Sequence, residues 1–263
     1  MTDNATGLLW QRCSVGQSGA NCGTGSQSSQ DLASAQSICA GLTTAGKTWR
    51  LPTRIELETL PDFGTTNPTI NITALPDNNG STGDEHLSST LTATNGNVWG
   101  VWYRSRGETS SQPTGSPKRA LCVSASAQSS LVKFSDKGDG TVRDKQSGLT
   151  WQKCSVGQNS LTCLGRASTP TWTAALTACS GLSLAGKTWR LPSIKELATI
   201  VDSTVATPSI ESAFFPSTDS NDYWSSSTTA SGNTGAWTVG FNEGNISWNG
   251  KTANNRVRCV SGP

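Results

Sequence analysis

The chain has 263 residues, with 20 Lys and Arg against 18 Asp and Glu, a balance of +2 that gives no electrostatic case for nucleic acid or an anionic membrane as partner. Only 14% of residues are charged and 33% are hydrophobic, yet there are 10 Trp and 8 Cys, which excludes a disordered chain and points to a small-cored, covalently stapled fold. The single histidine, His86, rules out a two-histidine metal site and leaves any His-based nucleophilic relay resting on one residue.

The sequence is a duplication. TGLLWQRCSVGQ at 6–17 returns as SGLTWQKCSVGQ at 147–158, and AGKTWRLP at 45–52 returns unchanged at 185–192. The offset is 141 residues at Trp10/Trp151, 140 at Trp49/Trp189 and 137 at Cys122/Cys259, so insertions fall between the matching blocks, as they do in surface loops. One domain is expected over 1–127 and a second over 131–263, joined by the small polar stretch SASAQSS at 124–130. LVKFSDKGDGTV at 131–142 opens the second copy, whereas Met1 stands where Val142 aligns, so the first copy is expected to lack its opening strand. No apolar run nears 18 residues and no charged-then-apolar leader is seen, so no membrane insertion is expected.

In chain order, the first copy places Leu32, Ala35, Cys39 and Leu42 at helical spacing. Thr53 with Glu56 then forms a capping box that opens a second helix, with Leu57 and Leu60 inward. Beyond it come Ser, Thr, Asn and Gly with short alternating segments; Trp99, Val101 and Tyr103 share one strand face and Trp102 falls on the other. In the second copy Asp136 to Asp139 marks a turn between two strands, because the oxygen ligands of a calcium loop are not met at its later positions. Trp172, Leu176, Cys179 and Leu182 repeat the first helix, and Ser193 with Glu196 repeats the capping box ahead of Leu197, Ile200 and Val201. Trp237, Val239 and Phe241 repeat the strand face, with Gly240 in the place of Trp102, and VRCV at 257–260 follows as a further strand segment. Each copy is therefore α+β: two helices, then a loop-rich antiparallel sheet. The paired tryptophans Trp10/Trp151, Trp49/Trp189 and Trp99/Trp237 are packing anchors.

Each copy carries four cysteines in the same order, Cys13, Cys22, Cys39 and Cys122, then Cys154, Cys163, Cys179 and Cys259, which allows three pairings per copy. The expected pairs are Cys13–Cys22, Cys39–Cys122, Cys154–Cys163 and Cys179–Cys259, because the first pair in each copy brackets the same eight-residue loop. Such staples imply an oxidising compartment: secreted, periplasmic or outer cell surface. No cysteine pair has the close spacing of a zinc knuckle, so neither metal nor cofactor is expected.

The blocks GDGTV at 138–142, TGL-W-Q-C, AGKTWRLP followed by E-L, YWSSS at 223–227, AW-V-F at 236–241 and VRCV at 257–260 together resemble the Lcl_C domain family, a bacterial domain named for the C-terminal part of a collagen-like adhesin. The resemblance covers nearly the whole chain, twice. The second copy has every block; the first lacks GDGTV and carries HLSST at 86–90 for YWSSS and ALCV at 120–123 for VRCV. What the resemblance implies is a C-type-lectin-like fold, here in tandem, on a secreted or surface protein with an adhesive or ligand-binding role. RLPT at 50–53 with Glu56 also resembles the RLPTEAEWE segment of formylglycine-generating enzymes, but the closely spaced, copper-binding cysteine pair of those oxidases has no counterpart here. The Glu-Pro-Asn, Gln-Pro-Asp and Trp-Asn-Asp tripeptides of calcium lectins are also missing, so a lectin-like fold does not make this a calcium lectin.

The late segments differ most between the copies, and the candidate ligand contacts fall there. They are Trp102, Arg104 and Arg106 in the first copy, and Asn221, Asp222, Asn242, Glu243, Asn245, Trp248, Asn249, Asn254 and Asn255 in the second. Asparagine offers a donor and an acceptor, an exposed aromatic stacks on sugars, and the arginines suit sulfate or carboxylate groups. The plainer alternative is a set of solvated loops. The function expected is non-catalytic binding of a glycan or an extracellular protein through these segments, with an oligomer allowed. A structural subunit of a surface assembly is the competing expectation.

Overall fold

The computed structural model describes residues 1–66, 68–76, 85–103, 107–124 and 133–262. Two compact units, Met1–Gln128 and Ser129–Pro263, divide the chain, and each is described by itself. Of the expected linker, only Ser124 lies within the described residues.

In the first unit the elements are β1 (Leu9–Trp10), β2 (Gln17–Ser18), β3 (Thr24–Gly25), α1 (Leu32–Ala40), α2 (Arg54–Leu57), β4 (Glu85–Leu91), β5 (Val98–Trp102), β6 (Thr109–Gln112) and β7 (Val123–Ser124). The second unit holds β8 (Phe134–Asp136), β9 (Thr141–Asp144), β10 (Thr150–Gln152), α3 (Trp172–Ser180), α4 (Ile194–Ala198), β11 (Asp222–Thr228), β12 (Gly235–Gly240), β13 (Asn245–Gly250) and β14 (Val260–Ser261). The antiparallel sheets β4-β5-β6 and β11-β12-β13 are the counterparts that carry the late segments. A second sheet, β14-β10-β9-β8, includes the hairpin that the Asp136–Asp139 turn connects. The α+β, disulfide-stapled tandem expected from the sequence is the architecture observed, with all four cysteine pairs joined as expected.

The middle strand of each late sheet, β5 and β12, is buried on both faces. On one side of β5, Val98 packs with Ala35 and Cys39 of α1; on the other, Val101 and Tyr103 pack with Leu57 of α2. The repeated tryptophans Trp10, Trp49, Trp99, Trp151, Trp189 and Trp237 are all buried, which fits their reading as anchors.

The second helix of each unit is shorter than its hydrophobic pattern suggests. The capping box forms in both, with the Thr53 and Ser193 hydroxyls accepting from the backbone N–H of Glu56 and Glu196, but the helices end after a single turn. Leu60, Ile200 and Val201 lie past the ends, although Ile200 and Val201 stay buried. Both chains are turned away by an aspartate: Asp62 accepts from the backbone N–H of Gly64, and Asp202 from that of Thr204.

Glu56 and Glu196 also receive two guanidinium hydrogen bonds each, from Arg50 at 2.7 and 2.6 Å and from Arg190 at 2.8 and 2.6 Å. Burial pushes each carboxyl up, but the bonds from arginine and from the cap backbone outweigh it and hold both below the ordinary value. A carboxyl whose pKa is lower folded than unfolded contributes stability above its unfolded value, and that contribution is lost as pH falls through the folded value. Chemical denaturation across the acid limb should therefore show a smaller acid-induced loss for Glu196→Gln than for the parent protein. An identical acid limb would contradict this.

Candidate ligand cleft at one end of the second sheet

The register of the second sheet sets Asp222 opposite Gly240 and Gly240 opposite Asn245, so the three positions lie side by side at one end of β11, β12 and β13, on one face. The turn after β12 brings Asn242 to the same place. The segment before the last cysteine runs beside β11 through a parallel bridge between Tyr223 and Arg256, and it adds Asn254 and Asn255. Together with Thr169, Asn221 and Arg256 these residues line an open cleft of about 370 Å³.

Gly240 shapes this cleft. A Cβ there would lie 2.7 Å from Asn245 Oδ1, 2.8 Å from Asp222 Oδ1 and 3.0 Å from Asn242 Oδ1, so the missing side chain is what lets three oxygens gather above the strand. Asn249 Nδ2 donates to Asp222 Oδ2 at 2.8 Å and fixes the carboxylate. Among the described residues, no donor reaches the three Oδ1 atoms. Asn255 contributes a buried Nδ2 that also has no partner. The Arg256 guanidinium is already engaged, with Asp219 at 2.5 Å and the Ala167 carbonyl at 2.9 Å.

The first unit closes the same place with its own side chains. Glu85 stands at the register of Asp222 but opposite Trp102 instead of a glycine. Lys118 bonds with Gln30 and precedes Arg119, which bridges His86, just as Asn255 bonds with Pro170 and precedes Arg256. Lys118 Nζ lies 2.8 Å from the fully buried Glu85 carboxylate and 5.6 Å from the Trp102 ring centroid. Ser110 donates its hydroxyl hydrogen to Glu85 and receives the Trp102 indole N–H at 3.0 Å. Half-buried, Trp102 is thus held from both sides.

Of the residues singled out in the sequence, Asn221, Asp222, Asn242, Asn245, Asn254 and Asn255 meet in the cleft, and Asn249 braces Asp222. Trp248 is 38% exposed but pairs with Trp237, so it points to the opposite sheet face. Glu243 sits partly buried in the turn outside the lining. Arg104 and Arg106 lie outside the described residues. Thr169 and Arg256 were not anticipated.

Among the described residues no cluster of three or more His, Cys, Asp or Glu is arranged to hold a metal, and no helix is long and apolar enough to cross a membrane. The chain is a tandem of two disulfide-stapled α+β units, with a cleft at one sheet end of the second. The chain matches the Lcl C-terminal domain over residues 1–124 and again over 140–261, and it belongs to that family of bacterial surface adhesins. Membership gives the chain an adhesive or ligand-binding role, secreted or at the cell surface. No curated protein matches it.

Proposed function

We propose that the protein is an adhesin that recognises a glycan through the asparagine cleft of its second unit. The observation that carries this is the gathering of three donor-less side-chain oxygens over Gly240. Sugar hydroxyls donate and accept in many directions, and asparagine side chains answer both demands. The lining is polar throughout, which suits a hydroxyl-rich ligand better than an apolar protein anchor.

The test is a screen of the full chain on a glycan and extracellular-matrix panel, repeated with the double variant Asn242→Ala, Asn245→Ala. Neither residue is in the core, so folding should be little affected. Binding of a glycan hit should fall by at least roughly tenfold, the loss expected for one or two hydrogen bonds. Trp248→Ala, on the opposite face, should leave it nearly unchanged. A hit that survives the double substitution would overturn the assignment.

A further inference from the structure

We infer that the glycan taken by this cleft carries a primary ammonium: an amino sugar whose nitrogen is not acetylated, seated against Asp222. This rests on the cleft being the binding site proposed above, and it adds the chemistry of the ligand. The first unit supplies the reasoning, because Trp102 stands there at the Gly240 position and its acidic neighbour carries a cation. There the carboxylate of Glu85 meets the ammonium of Lys118 at 2.8 Å, under the ring of Trp102. In the second unit both fillers are gone, Asn255 standing for Lys118 and Gly240 for Trp102; the acidic position is kept as Asp222, whose carboxylate reaches over Gly240 where that of Glu85 lies over Gly100.

The charges around Asp222 do not replace the lost ammonium. Arg256, the cation of the lining, is paired with Asp219, and Asp222 has only the neutral amide of Asn249 on its other oxygen. A carboxylate oxygen flanked by two amide oxygens is a place of negative potential, and an ammonium carries three N–H donors and a positive charge to meet it. Calcium is the weaker fit, since it takes six to eight oxygens and the lining offers one unpaired carboxylate. A lysine side chain also fits poorly, because its methylene stem would lie against asparagine and threonine instead of an apolar wall. An amino sugar brings the ammonium together with hydroxyls that the surrounding asparagines can bind.

The experiment is calorimetric titration of the full chain with a glucosamine oligomer and, separately, with the fully N-acetylated oligomer of the same length. The amine form should bind roughly tenfold more tightly or better, the margin of a charge-assisted hydrogen bond. Asp222→Asn should remove that preference. Asn255→Lys, which installs the residue the first unit accommodates, should abolish amine binding by filling the site internally. Equal affinities for the two oligomers, both lost in Asn242→Ala, Asn245→Ala, would overturn the ammonium assignment and leave the cleft as a glycan site. Amine binding untouched by all of these substitutions would overturn both. No amine binding, whether or not calcium chloride alone or a lysine peptide binds at Asp222, would overturn the amino-sugar assignment.

Discussion

Glu58→Ala alone should destabilise the first unit by roughly 3–5 kcal/mol, and adding Arg54→Ile should restore most of that loss. Arg54 Nε lies 2.5 Å from Glu58 Oε1, with side-chain exposures of 1% and 5%, and the guanidinium stacks 4.0 Å from the Trp99 ring centroid. Burial raises the Glu58 carboxyl above its ordinary value against the pull of Arg54, so the pair is held at a desolvation cost. Removing the carboxylate alone leaves a buried guanidinium short of its counter-charge. The second unit shows the apolar solution: Ile194 and Ala198 occupy the equivalent positions and are buried. Urea denaturation of the two single variants and the double variant measures the coupling. A double variant less stable than Glu58→Ala would contradict this account.

Removing the Cys179–Cys259 bridge should cost the second unit about 4 kcal/mol, against somewhat under about 3 kcal/mol for Cys154–Cys163, because the closed loops differ so much in length. The sequence separations are 80 and 9 residues. Cys179 and Cys259 are also fully buried in the cluster that joins α3 to the late sheet, so the bridge ties the segment leading into β14 to that helix. Paired Cys→Ala substitutions avoid burying new hydroxyls. Equal losses for the two bridges in denaturant melts would count against the loop-closure explanation.

Features set by local chemistry were legible in the sequence. The capping boxes depend on residues three apart, the tryptophan anchors recur in identical blocks, and the cysteine pairing follows from a repeated loop. Membership of the cleft was not local. Asn249 and Trp248 are neighbours in sequence, yet the strand sends them to opposite faces, and only cross-strand register joins Asp222 to Gly240 and Asn245. Thr169 enters from a loop more than fifty residues earlier in the chain. The second helix was drawn too long because its inward-facing leucines, isoleucine and valine continue past the aspartate turns that end it. Nothing in RIELE distinguishes a buried Arg54–Glu58 pair from a surface one; the contrast with IKELA in the second copy is the only trace.

The proposed binding by the second unit's cleft depends on Gly240 and Asn255 standing where the first unit has Trp102 and Lys118. The most direct measurement is glycan binding by the full chain carrying Gly240→Trp together with Asn255→Lys, with the thermal midpoint recorded alongside. Binding should disappear while the midpoint stays close to that of the parent. Undiminished binding by this filled-in variant would contradict it.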